Sequence, residues 1–142
     1  MITYQHINAA KPKIPIRRTT QWIRNVAAGY GKKVGEVAYI FCNDAKILEI
    51  NRQYLRHDYC TDIITFDYCE NNVLSGDIFI SIDTVCSNAQ RFGTTPDNEL
   101  RRVMIHGILH LCGQDDQQPA DQVEMTRKEN AALTLWKQME QP

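Results

Sequence analysis

Along the chain the spacing of hydrophobic and polar positions changes period several times, and each change predicts an element. Ile2 to Ile7 alternates apolar and polar residues, which predicts a short strand, and Pro12 and Pro15 then disfavour helix in the linker that follows. From Arg17 to Tyr30 the period lengthens to that of a helix. Trp22, Ile23 and Val26 form its apolar stripe, and Gly29 with Gly31 supplies a stop. Val34 to Cys42, V-G-E-V-A-Y-I-F-C, predicts the strongest strand. Asn43 or Asp44 can cap the next helix, which carries Ile47, Leu48 and Ile50 towards Asn51, Tyr54 and Leu55.

Two more strands are predicted over Thr61 to Phe66 and Gly76 to Ile82, with Glu70, Asn71 and Asn72 turning the chain between them. Asp83 to Phe92 suits a helix stopped at Gly93. Thr95 then offers an N-cap, Pro96 a first helical residue, and Asp97 and Glu99 an acidic first turn, so a helix should run to about Cys112. Leu100, Val103, Met104, Gly107, Ile108 and Leu111 recur at intervals of three and four and make its buried face. A last helix, from about Pro119 to Met139, buries Met125, Ala132, Trp136 and Met139. No internal repeat, low-complexity run or domain linker interrupts the series.

A length of 142 residues and a hydrophobic fraction of 43% suit one domain with a real core. No apolar run approaches the roughly 18 residues of a membrane span, and M-I-T-Y-Q-H lacks the features of a signal peptide, so a cytosolic protein is expected. Five cysteines, Cys42, Cys60, Cys69, Cys86 and Cys112, form no C-x-x-C pair and are expected as reduced thiols. A formal net charge of −1 argues against coating nucleic acid by bulk electrostatics. It leaves room for a local basic face, for which Arg17, Arg18, Lys32, Lys33, Arg52 and Arg56 are the candidates.

The chemistry concentrates at the end of the penultimate helix. His106 and His110 stand four apart, so both imidazoles leave one face with Cβ atoms roughly 5–6 Å apart, close enough to meet at one ion. Gly113 can end the helix in the left-handed conformation and turn the chain back, and Asp115 and Asp116 follow at once. That order, His-x3-His, Gly and then an acid, is the layout of a metal site built from one helix and its turn. Cys112 is a rival ligand but points round the helix from the histidines and is read as core. Helical zinc peptidases carry a glutamate general base directly after the first histidine; here that place is Gly107, which disfavours a peptidase.

A second charged cluster, N-R-Q-Y-L-R-H-D-Y-C-T-D-I-I-T-F from Asn51 to Phe66, sits at a helix-to-strand junction. Arg56 could hold a phosphate in two-point geometry and stabilise charge developing on it. His57 is more often structural in such a setting, and Asp62 and Asp77 could cap, pair with arginine or orient the metal ligands, the structural role being the expected one for both.

These residues together resemble a known family. H-G-I-L-H-L-C-G-Q-D-D, from His106 to Asp116, is similar to the signature H-G-x-L-H-L-x-G-x-D-H of the YbeY-type endoribonucleases at every fixed position but the last. Asn51 to Phe66 resembles the family's N-x-x-Y-R-x-K-D-x-P-T-D-V-L-S-F, and G-D-I-F-I-S from Gly76 to Ser81 its G-D-I strand. The resemblance implies a single-domain α+β fold with a mixed sheet of about four strands, and one zinc ion per chain held by His106, His110 and Asp116. It implies endoribonuclease activity on single-stranded RNA, a role in ribosomal RNA maturation and ribosome quality control, and the small ribosomal subunit or its proteins as partners.

Asp116 replaces the family's third histidine, His57 and Cys60 replace its lysine and proline, and Arg56 matches its arginine only with one residue of slack after Tyr54. A carboxylate is an accepted zinc ligand, but it lowers the charge of the complex and moves preference towards harder divalent ions such as manganese. Asp115 matches the aspartate before the third ligand and is expected to orient a histidine or the turn. The rival readings are a zinc peptidase and a non-catalytic RNA- or ribosome-binding assembly factor with a structural metal.

Overall fold

The computed structural model describes residues 1–55 and 61–139. Strand β1 (Ile2–His6) leads to helix α1 (Ile16–Gly29) and strand β2 (Lys33–Cys42); helix α2 (Asp44–Ile50) continues into a π-helical turn over Asn51–Leu55. Strands β3 (Ile63–Asp67) and β4 (Val73–Ser81) form a hairpin, followed by helices α3 (Ile82–Arg91), α4 (Pro96–Leu111) and α5 (Pro119–Met139). The sheet has the order β1-β2-β4-β3, with β1, β2 and β4 parallel and β3 antiparallel to β4 at one edge. This is a single α+β domain with the four-stranded mixed sheet that the sequence implies.

Alternation along the strands divides the sheet into two faces. Val37, Tyr39 and Phe41 of β2 and Leu74, Ile78 and Ile80 of β4 point into the main core under α1 and α4, where α5 closes the outer layer. Tyr39 donates its hydroxyl to the Met104 carbonyl at 2.9 Å, and fully buried Trp22 donates to the Ala132 carbonyl at 2.7 Å, tying α4 to the sheet and α5 to α1. On the other face Cys42, Ile47, Ile50 and Ile64 make a smaller core beneath α2.

Several boundaries differ from expectation. Strand β4 starts at Val73 rather than Gly76, because Asn71 and Asn72 both take positive φ (51° and 65°) and close a tight hairpin in which Glu70 and Val73 exchange backbone hydrogen bonds. At its other end β4 stops at Ser81, whose side chain accepts from Thr84 N and starts α3 one residue earlier than the apolar run suggests. Of the two candidate caps for α2, Asn43 is the cap, accepting from Lys46 N at 2.9 Å, and Asp44 takes hydrogen bonds from the Ser81 and Thr84 hydroxyls.

Two glycines set how closely elements approach. A Cβ on Gly76 would lie 2.3 Å from the Phe66 carbonyl oxygen, so β3 and β4 can pair there only across a glycine. A Cβ on Gly107 would meet Ile63 and Ile78 side chains at 3.1 Å, so this residue brings α4 down onto β3 and β4.

Candidate metal centre

Helix α4 presents its polar residues as a stripe. Glu99, Arg102, His106 and His110 follow at intervals of three, four and four, while Leu100, Val103, Met104, Ile108 and Leu111 pack inward. Thr95 caps the start by accepting from Asn98 N at 3.1 Å, with Pro96 in the first turn. At the other end Gly113 has φ +101°, and two hydrogen bonds, Gly113 N to His110 O and Gln114 N to Leu109 O (both 3.0 Å), complete a Schellman motif. That turn sends Asp116 back alongside the helix.

The result is a cleft of about 270 Å³. One wall is His106, His110 and Asp116; the other is the edge strand and the residues before it, Thr61, Asp62, Ile63 and Thr65. His106 Nε2 lies 3.2 Å from Asp116 Oδ2. His110 lines the same wall, although among the described residues no three His, Cys, Asp or Glu side chains already stand together as a metal cluster. The predicted ligands therefore share one cleft, with two of them in contact.

His106 is also held from behind. Its Nδ1 donates to Glu129 Oε2 at 2.7 Å, and Glu129, only 2% exposed, takes a second bond on Oε1 from Arg102 Nη1 at 3.0 Å. Arg102 in turn pairs through two nitrogens with Glu99, which is buried as well. Burial is the largest single influence on the His106 ring and pushes its pKa down. The hydrogen bond and charge of Glu129, with Asp116 and Asp62 adding to them, outweigh it, and the net shift is upward from 6.5.

Glu129 is a residue of this arrangement that the sequence reading missed: it is the carboxylate on His106 Nδ1, while Asp115, expected to orient a histidine or the turn, has an exposed side chain. The signal was present: Met125, Glu129, Ala132 and Trp136 recur at four, three and four, so a glutamate occupies a core position of α5. Of the roles open to Asp62, the structure places it at the histidine cleft, which it lines, and its charge adds to the field at His106. Asp77 lies elsewhere, beside Tyr54, Phe66, Tyr68 and Phe79 on the α2 side of the sheet.

Among the described residues, no basic candidate lines this cleft. Arg18 is a correction: its guanidinium stacks 3.6 Å from the Trp136 ring centroid and donates to the Trp136 carbonyl, which makes it part of the seam between α1 and α5. Lys32 and Lys33 line a separate recess with Arg24, and Lys32 donates to Asn72 Oδ1 at 2.8 Å. Arg17 and Arg52 are exposed. Arg56, His57 and Cys60 lie outside the described residues.

A family model, Endoribonuclease YbeY, matches residues 5–137. The chain belongs to the YbeY family. It is 60% identical over 134 residues to an endoribonuclease YbeY of Bacteroides thetaiotaomicron, covering 94% of this chain and 98% of that protein. It is 61% identical over 135 residues to one of Phocaeicola vulgatus, covering 95% and 98%. A solution structure of a Thermotoga maritima protein superposes with a TM-score of 0.67 at 25% identity, over 97% of this chain and 93% of that one. Among the described residues no helix is long and apolar enough to cross a membrane.

Proposed function

We propose that this YbeY-family chain is a metal-dependent endoribonuclease that cuts single-stranded RNA in the cleft of His106, His110 and Asp116. It would act in the cytoplasm on ribosomal RNA, in maturation and quality control at the small ribosomal subunit. The supporting observation is the contact of His106 Nε2 with Asp116 Oδ2 in a cleft that His110 also lines.

The donor set suits a divalent transition metal. Two imidazoles and a carboxylate border one solvent-reachable cleft, and the ring nitrogen of His106 remote from the cleft is tied to a buried carboxylate, as is usual for metal-binding histidines. His106, His110 and Asp116 would hold the ion, zinc by preference, with manganese as the alternative that a carboxylate ligand favours. Bound there, it would supply Lewis acidity towards the scissile phosphate.

The chain's own residues do the remaining work. On the opposite wall Thr61 and Thr65 offer hydroxyl donors to the phosphate oxygens of a strand laid along β3, and Asp62 offers an acceptor to a ribose hydroxyl. Gly107 lets α4 pack closely on Ile63 and so sets how near the histidine wall stands to the strand wall. Arg56, by its place in the second motif, is assigned to the charge developing on the phosphate. No glutamate follows His106, so the site lacks the base that a helical zinc peptidase uses.

Metal analysis of purified protein, with cleavage of single-stranded RNA and of casein in the same preparation, tests this function. Bound metal with cleaved RNA and intact casein is the expected result. Cleaved casein would move the chain to the peptidases, and bound metal with intact RNA would make it a non-catalytic assembly factor.

A further inference from the structure

We propose that Glu129 is a positioning residue for the metal centre. It fixes His106 with its proton on Nδ1 and thereby turns the Nε2 lone pair to the cleft, which makes α5 a working part of the site. The inference rests on the metal-centre reading of His106, His110 and Asp116.

A neutral imidazole carries one proton, and only the unprotonated nitrogen can bind a metal. His106 faces a carboxylate at each nitrogen, Glu129 at 2.7 Å from Nδ1 and Asp116 at 3.2 Å from Nε2. The shorter, more buried contact wins the single proton. Glu129 is 2% exposed and Asp116 sits at the open cleft, so the hydrogen bond to Glu129 acts in the lower dielectric and is the stronger of the two. The ring is then presented in the form that a metal needs.

Glu129 can hold that role because its other oxygen is also committed. Oε1 accepts from Arg102 Nη1 at 3.0 Å, and Arg102 is itself gripped by Glu99 one helical turn earlier on α4. Held in place by Glu99, Arg102 fixes the Glu129 rotamer. The two acceptors lie on one carboxylate, and no amide can supply both. In Glu129→Gln one end becomes an NH2, which must face either the Arg102 guanidinium, donor against donor, or His106 Nδ1, where it would donate and force the ring proton onto Nε2.

The test has two readouts, neither of which is RNA turnover. In metal-free wild-type protein labelled with 15N-histidine, two-bond proton–nitrogen correlation spectra taken in alkaline solution should show the neutral His106 ring protonated on Nδ1. A ring protonated on Nε2 would overturn the proposal without any mutation. Zinc affinity measured by chelator competition should fall about 10–100-fold in Glu129→Gln, with Glu129→Asp, which keeps both acceptors, recovering part of the loss. Unchanged zinc affinity in Glu129→Gln would overturn it. If that variant does not fold, the wild-type spectrum and the affinity of Glu129→Asp against wild type decide the matter, an undiminished affinity with an Nε2 proton being the contrary result. Wild-type protein that binds no zinc at all would instead refute the metal-centre reading, so the two failures are distinguishable.

Discussion

Asp116 reaches the Nε2 atom of His106 from the turn that Gly113 creates, and it stands where the YbeY-type signature has a histidine. Asp116→Ala should therefore weaken zinc binding strongly, whereas Asp116→His should retain or tighten it, because imidazole suits zinc well. Isothermal titration of both variants checks this, and a tighter alanine variant would remove Asp116 from the ligand set. The thiols respond to their surroundings in a way that mass-mapped alkylation can check. Burial pushes Cys42 and Cys112 up to about 11, so near pH 8 only roughly 0.1% of either is thiolate, while Cys86 is exposed. Iodoacetamide should label the Cys86 peptide well before those of Cys42 and Cys112. His106 and His110 were legible from their spacing alone, and Asp116 from the motif. Glu129 was not, because a glutamate in an apolar stripe is ordinarily a surface residue at the stripe's edge, and only the packing of α5 on α4 shows it to be buried against Arg102 and His106.

At the scale of elements, the β3–β4 hairpin sets the cleft wall that faces the histidines. Gly76→Ala should cost about 2 kcal/mol or more in chemical denaturation, since its Cβ would collide with the Phe66 carbonyl oxygen and cannot be relieved by a side-chain rotation. Stability equal to wild type would show that β3 can shift without cost. Helix ends with strong capping chemistry, at Thr95 with Pro96 and at Gly113, were readable to the residue, as was the whole span of α5. The start of β4 and the junction of β4 with α3 were not. There the deciding groups are two asparagines in left-handed conformation and a serine whose cap competes with a β-branched run, and local periodicity weighs neither. The basic residues illustrate the same limit, because Arg18 reads as surface on the helical pattern of α1 until α5 brings Trp136 beneath it. Arg18→Ala should lower the thermal midpoint by loosening the α1–α5 seam while leaving RNA affinity within about twofold. A selective loss of RNA binding would restore Arg18 to the interface.

The whole molecule carries a net charge of −1, so any RNA affinity must come from a local face rather than from the overall field. Binding of a single-stranded oligonucleotide should weaken steeply as salt rises, with Arg52 and Arg56 contributing and Asp97, on α4 far from the cleft lining, serving as a neutral control. Salt-independent binding would exclude phosphate contacts. The fold as a whole brings the sheet edge and the end of α4 together at one cleft, with Glu129 of α5 behind His106, and metal binding should accordingly stabilise the packing of all three. Metal-dependent RNA cutting at this cleft is tested by turnover of single-stranded RNA by chelator-stripped protein during a zinc titration. The expected result is activity that rises from background, saturates near one zinc per chain and is absent in His106→Ala; stripped protein that cuts RNA at the full rate, or a His106→Ala variant as active as wild type, would contradict it.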